Sequence, residues 1–177
     1  MSHHQRKELI RRAQSGHIAR IKTLLNDGAD TGFVADTSMS PLMTAAYAGH
    51  SEVVTLLLAA GASPHLTADD GASALHWAAR NGHHEIVCLL LDVGAKVNAR
   101  RDADGPTPLH MAISNGHDAV AITLIDAGTS LDTQYIVGDV RKYAEWHGRD
   151  LVIQYINQRR GRPKRHGRGE NVGLGRE

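Results

Sequence analysis

Residues 107–128 read Thr-Pro-Leu-His-Met-Ala-Ile-Ser-Asn-Gly-His-Asp-Ala-Val-Ala-Ile-Thr-Leu-Ile-Asp-Ala-Gly. Thr107 is a residue type that caps a helix N-terminus, and Pro108 suits the first helical position, where a missing N–H costs nothing. A short helix starts there. Gly116 can take the left-handed conformation that stops it, and a second apolar run follows at once and ends at Gly128.

The same stretch recurs along the chain. Gly-His occurs at Gly16-His17, Gly49-His50, Gly82-His83 and Gly116-His117, at spacings of 33, 33 and 34 residues. Gly28, Gly61, Gly94 and Gly128 keep that phase, each behind a Leu-rich run. Ser40-Pro41-Leu42-Met43 and Ser73-Ala74-Leu75-His76 precede Thr107-Pro108-Leu109-His110 as a third phase-locked marker. Ala45-Ala46 and Ala78-Ala79 supply small side chains for close helix packing. In Glu85-Ile86-Val87-Cys88-Leu89-Leu90-Leu91 the apolar residues cover the i, i+3, i+4 face of a second helix. A helix pair this short cannot bury its apolar face alone, so it must stack on its neighbours as a solenoid.

Composition agrees. The 177 residues are 41% hydrophobic and 22% charged, which excludes a disordered, collagenous or disulfide-built chain for the bulk. Aromatics are 4%, so the core must be aliphatic, the material of packed helices rather than of a sandwich or barrel. A lone cysteine, Cys88, closes no intramolecular disulfide and makes no zinc site by itself, which fits a reducing compartment. Met1 to Arg12 lacks an apolar h-region, and no stretch approaches the roughly 18 apolar residues of a membrane span. The expectation is a soluble intracellular monomer, cytoplasmic or nuclear.

Thr-Pro-Leu-His, Ala-Ala, Gly-His and Leu-Leu-Leu before Gly-Ala, on a 33-residue period, resemble the ankyrin repeat over Arg6 to Asn157. The resemblance implies an all-α repeat solenoid of antiparallel helix pairs joined by β-hairpin fingers, with a concave binding face. It implies a repeat domain over 6–158: an N-terminal cap (6–38), repeats at 39–71, 72–104 and 105–137, and a C-terminal cap (138–158). The outer units depart from the tetrad, with Lys7-Glu8-Leu9-Ile10 and Asp139-Val140-Arg141-Lys142, as terminal repeats with one polar face must. The loop from Gly94 to Pro108 is one residue longer than its counterparts, and that from Gly128 to Val140 one shorter.

No constellation for catalysis, metal or cofactor emerges. His17, His50, His83 and His117 share one repeat position and His76 and His110 another, so equivalent rings stand about 8–10 Å apart, too far for shared zinc ligation at ~2.1 Å. In ankyrin-like proteins such histidines hydrogen-bond within and between repeats. There is no Gly-x-Ser-x-Gly elbow and no Gly-Lys for a phosphate loop, and Cys88 lies in an apolar run, where a buried inert thiol is expected.

The resemblance implies partner contacts at finger tips and late in the first helices. By position these are Tyr47, Arg80 and Ser114 on helices, with Asp69, Asp70, Ala72, Arg101, Asp102, Asp104 and Pro106 on fingers. A solvated polar face is the competing reading, since a tip that touches nothing is also polar. Trp77 and Met111 read as packing between repeats, and Trp146 as cover for the last one.

Charge divides the chain. Residues 1–156 carry 13 Lys and Arg against 17 Asp and Glu, while residues 157–177 carry 7 against 2. The segment 159–177, rich in Gly and charge, reads as a disordered basic tail. Within it Arg160-Gly161-Arg162-Pro163 resembles the core of an AT-hook. Gly161 lets the backbone approach a minor-groove floor, Arg160 and Arg162 extend along a narrow groove of A·T-rich DNA, and Pro163 keeps the chain extended. Arg159, Lys164 and Arg165 would pair with phosphates. A localisation signal, an RNA- or acid-binding patch, a solubilising arm or a mask on the acidic body are the alternatives.

Overall fold

A computed structural model of the chain describes residues 3–35, 38–136 and 138–160. The described residues form ten helices: α1 His3–Ser15, α2 Ile18–Asn26, α3 Pro41–Ala48, α4 Ser51–Ala59, α5 Ala74–Arg80, α6 His84–Asp92, α7 Pro108–Ser114, α8 Asp118–Asp126, α9 Val140–Trp146 and α10 Asp150–Arg160. Each odd-numbered helix packs on the even-numbered helix after it. The odd helices also stack on one another in chain order, and the even helices form a second column behind them.

The starts follow from local chemistry. Ser40 Oγ accepts from the Met43 N–H at 3.2 Å and caps α3 ahead of Pro41. Ser73 and Thr107 form capping boxes with His76 and His110. Each imidazole Nδ1 receives the cap residue's own N–H, at 3.1 Å for His76 and 3.4 Å for His110. The central helices bury both flanks: α3 hides Pro41, Leu42, Met43, Thr44, Ala45 and Ala46. The end helix α1 hides only Leu9 and Ala13. Its outer face is ionic instead, with Glu8 receiving Arg11 at 2.6 Å and Arg12 at 2.8 Å. The hydrogen bond from Arg12, ahead of the other causes, holds the Glu8 carboxyl at about 2.

Four fingers project between helix pairs, and their widths locate the length changes seen in the sequence. The amides of Ala35 and Ala68 donate to the carbonyls of Met39 and Ala72, four residues on. Arg101 donates to Pro106, five residues on, and Tyr135 to Gly138, three residues on. The extra residue of the third finger and the missing residue of the fourth are thus absorbed at the solvated tips. The hairpins are reduced to isolated bridges, Thr67 with Ser73 and Tyr135 with Gly138, with no strand among the described residues. Turns this tight leave no second rung to build a ladder.

Three expectations need correction. Cys88 is half-buried rather than buried, because the inward face of α6 is taken by Ile86, Val87 and Leu90. Trp146 is 61% exposed, its ring edge-on to Tyr143 at 6.1 Å and to His147 at 4.9 Å; Tyr143, one turn earlier, is the buried ring of α9. The last helix runs to Arg160, past the expected boundary at 158. No helix among the described residues is long and apolar enough to cross a membrane.

Candidate protein-interaction surface

The Gly-His marker sets the spacing of the odd helices. His50 Nε2 lies 3.0 Å from the Gln14 carbonyl oxygen, His83 Nε2 3.2 Å from that of Tyr47, and His117 Nε2 3.0 Å from that of Arg80. Each ring therefore satisfies a carbonyl at the C-terminal end of the previous odd helix, where intrahelical donors run out. Each ring also needs a glycine beneath it. A Cβ on Gly16 would lie 2.7 Å from the His50 ring, and one on Gly49 2.5 Å from that of His83. The repeated dipeptide is one device: the glycine of one unit makes room for the histidine of the next.

That device fixes Tyr47 and Arg80 at equivalent places. Both are exposed, and between them sits half-buried Trp77 on α5. The Tyr47 ring meets the Trp77 ring edge-on at 5.6 Å and 84°. The guanidiniums of Arg80 and Arg101 both lie 5.6 Å from the indole centroid. Ser114, third in the series, turns its hydroxyl back to the Met111 carbonyl oxygen at 3.2 Å.

The fingers are tied tip to tip. Ser38 donates its hydroxyl to Asp69, and Arg101 pairs with Asp70. Arg100 donates to the Gln134 carbonyl oxygen at 2.9 Å. Gly71, at φ 77°, has no space for a side chain because the Arg101 backbone carbonyl occupies it. Between the first two fingers, Ser38, Met39, Ala68, Asp69, Asp70 and Trp77 line a groove of about 330 Å3.

The structure thus brings Tyr47, Arg80, Asp69, Asp70 and Arg101 to one region around Trp77. Asp102 and Asp104 are exposed at the third tip, and half-buried Pro106 gives its carbonyl to Arg101 and to His76 Nε2 at 3.3 Å. Ala72 is corrected: it is 1% exposed, its methyl in the core and its amide donating to Asp70 Oδ1 at 3.0 Å, so it has no surface to offer. Trp77 packs between repeats as expected, but it also floors the groove, a role the sequence reading missed. The signal was available, since Trp, like Tyr and Arg, is enriched in binding hot spots.

The capping histidines His76 and His110 are fully buried. Burial, against the weaker pull of its backbone partners, pushes the His76 imidazole down to about 4. Burial, and secondarily the Arg100 charge, does the same for His110. With Nδ1 accepting from Ser73, the His76 proton is assigned to Nε2. These rings are neutral struts, not proton-transfer groups at neutral pH.

A family model described as ankyrin repeats (3 copies) matches residues 9–101 and, overlapping, 60–135. The chain belongs to the ankyrin repeat family. No curated protein matches it. Ankyrin repeats are generally protein-protein interaction modules without catalysis, and the odd-helix face and fingers of this ankyrin stack are where the exposed rings and charges converge.

Of the residues expected to meet DNA, Arg159 is placed in the folded stack. Its guanidinium meets Asp126 at 2.6 Å and the Ile125 carbonyl at 3.3 Å, closing α10 onto the end of α8. It is engaged there rather than extended toward a phosphate. The side chain of Arg160, and Gly161, Arg162, Pro163, Lys164 and Arg165, lie outside the described residues.

Proposed function

We propose that the chain is a non-catalytic protein-interaction module, five ankyrin units long, that holds a partner protein against its finger tips and the face of its odd-numbered helices. The units divide at 38, 71, 104 and 137, and the module acts as an intracellular monomer, cytoplasmic or nuclear. One observation carries this reading: Trp77 is flanked by Tyr47, Arg80 and Arg101 within 5.6 Å, beside an open groove. Tyr, Trp and Arg dominate interface energetics. The contact residues are Tyr47, Arg80, Ser114, Asp69, Asp70, Arg101, Asp102, Asp104 and Pro106.

Site-specific photocrosslinking tests it. A crosslinker at Tyr47 or Arg80 in the native cell should yield discrete protein adducts, while one at Thr55 on α4 should not. Equal adduct patterns from all three sites would remove the reading.

A second reading adds nucleic acid. It is supported by the charge division and by Arg160-Gly161-Arg162-Pro163: an adaptor whose tail enters the minor groove of A·T-rich DNA. The test compares the full chain with one ending at Arg160, which keeps the Arg159 tie to Asp126. Tail removal should abolish DNA binding, and log K of the full chain should fall with log salt at a slope of about −4 for about four to five phosphate contacts. Equal binding by both chains would remove this alternative.

A further inference from the structure

We infer that the Trp77 groove receives an extended partner segment in which a carboxylate side chain stands within a few residues of a bulky apolar one; this rests on the interaction face proposed above. The apolar side chain enters between Met39, Ala68 and the Trp77 ring, and the carboxylate meets Arg80.

Charge accounting around the groove leads there. Two acids line it, Asp69 and Asp70, which alone would favour a basic partner. Asp70 is paired with Arg101 and accepts the Ala72 amide; Asp69 accepts the Ser38 hydroxyl, a bond that leaves its charge in place on the finger, whereas Arg80 stands at the C-terminal end of α5. Arg101 in turn spends its charge on Asp70 while covering the indole. Arg80 differs. It is exposed, its guanidinium lies 5.6 Å from the same ring, and no carboxylate lies within ion-pair distance of it among the described residues. The cation nearest the groove that lacks an internal counter-charge is therefore Arg80, and the complementary group is an acid.

Geometry supplies the second half. The groove volume of about 330 Å3 takes one or two large side chains, not a folded domain. Its floor is apolar at Met39, Ala68 and the Trp77 ring, so an aliphatic or aromatic side chain is desolvated there against rigid partners. Tyr47, 45% exposed and edge-on to Trp77, adds an exposed ring beside the Trp77 end of the groove. Arginine on an aromatic face presents its donor fork outward, the geometry that recognises a carboxylate through two parallel hydrogen bonds. An acid near an apolar anchor uses both features at once.

The test is selection of a randomised twelve-residue displayed peptide library on the full chain, run in parallel on Arg80→Glu. Recovered peptides are then titrated by Trp77 fluorescence in Trp146→Phe, with thermal melts confirming that each variant is folded. Peptides from the parent chain should share Asp or Glu within three residues of Leu, Met, Phe or Trp. Arg80→Glu should weaken them at least about tenfold and should itself select Lys or Arg at that place. Tyr47→Ala should weaken them as well. Recovery of peptides without a shared acid, recovery of none, or equal affinity for Arg80→Glu overturns the inference. If Tyr47→Ala still weakens binding in that event, the interaction face stands and only the partner chemistry falls. If neither substitution matters, both fall.

Discussion

The imidazole of His83 fills the space that a side chain on Gly49 would need, while its Nε2 lies 3.2 Å from the carbonyl oxygen of Tyr47. One contact thus joins three jobs: it spaces two repeats, satisfies a helix-end carbonyl and fixes the backbone at exposed Tyr47.

Gly49→Ala should therefore be costly twice over. The residue sits at φ 83°, where L side chains are strained, and its Cβ would fall 2.5 Å from His83 Cε1. A loss of about 1–3 kcal/mol in urea unfolding is expected. Gly49→Ala with His83→Ala should lose less than the sum of the two single changes, because the clash is removed with the ring. Strict additivity would mean that the two residues do not meet.

Acid should unfold the stack through His76 and His110. Both imidazoles are lowered from 6.5 to about 4 in the folded chain, so the unfolded chain binds more protons between those values. Stability is then full above pH ~6.5 and falls as pH drops toward 4, by about 3 kcal/mol for each ring. Unfolding free energy measured across pH 4 to 7 checks this. A flat profile would show that neither ring is held neutral by burial.

The Asp70–Arg101 pair links neighbouring fingers, yet its groups are 40% and 23% exposed. A double-mutant cycle with Asp70→Asn and Arg101→Gln should give a coupling of only about 0.2–1 kcal/mol. Amide exchange at Ala68 and Gly105 should accelerate in either single variant, because the finger tips are then untied. Unchanged exchange would place finger order in the backbone turns alone.

Asp126 receives Tyr155 and Arg159 from α10. Asp126→Ala should fray the last helix, raising exchange over 150–160 while leaving α3 to α7 unchanged, since a solenoid unfolds from its ends. Uniform loss of protection would argue for a single cooperative block.

Much of this fold could be read before any coordinates. Helix starts at Ser40, Ser73 and Thr107, and the role of Gly-His as a repeat marker, follow from local backbone chemistry, which sequence carries directly. What could not be read depends on which flank of an element meets its neighbour. Ala72 and Asp70 lie two residues apart on one finger, yet the bridge between Thr67 and Ser73 turns the first inward. Trp146 and Tyr143 lie on one short helix, and only the register of α9 against α7 decides which is buried. Arg159 looks like tail by composition, but Asp126 reaches it across 33 residues of sequence. Tyr47 and Arg80 can be assigned to one face by repeat position alone, whereas the groove could not be read, because its lining is shared among residues from two fingers and α5.

The central claim is that these helix pairs hide their apolar faces only against one another, leaving a rigid surface that binds. Far-ultraviolet circular dichroism of a peptide spanning residues 72–104, beside the full chain, tests it most directly. The claim predicts no cooperative helical transition in the peptide and a cooperative one in the full chain. A peptide that folds and melts cooperatively alone would contradict it.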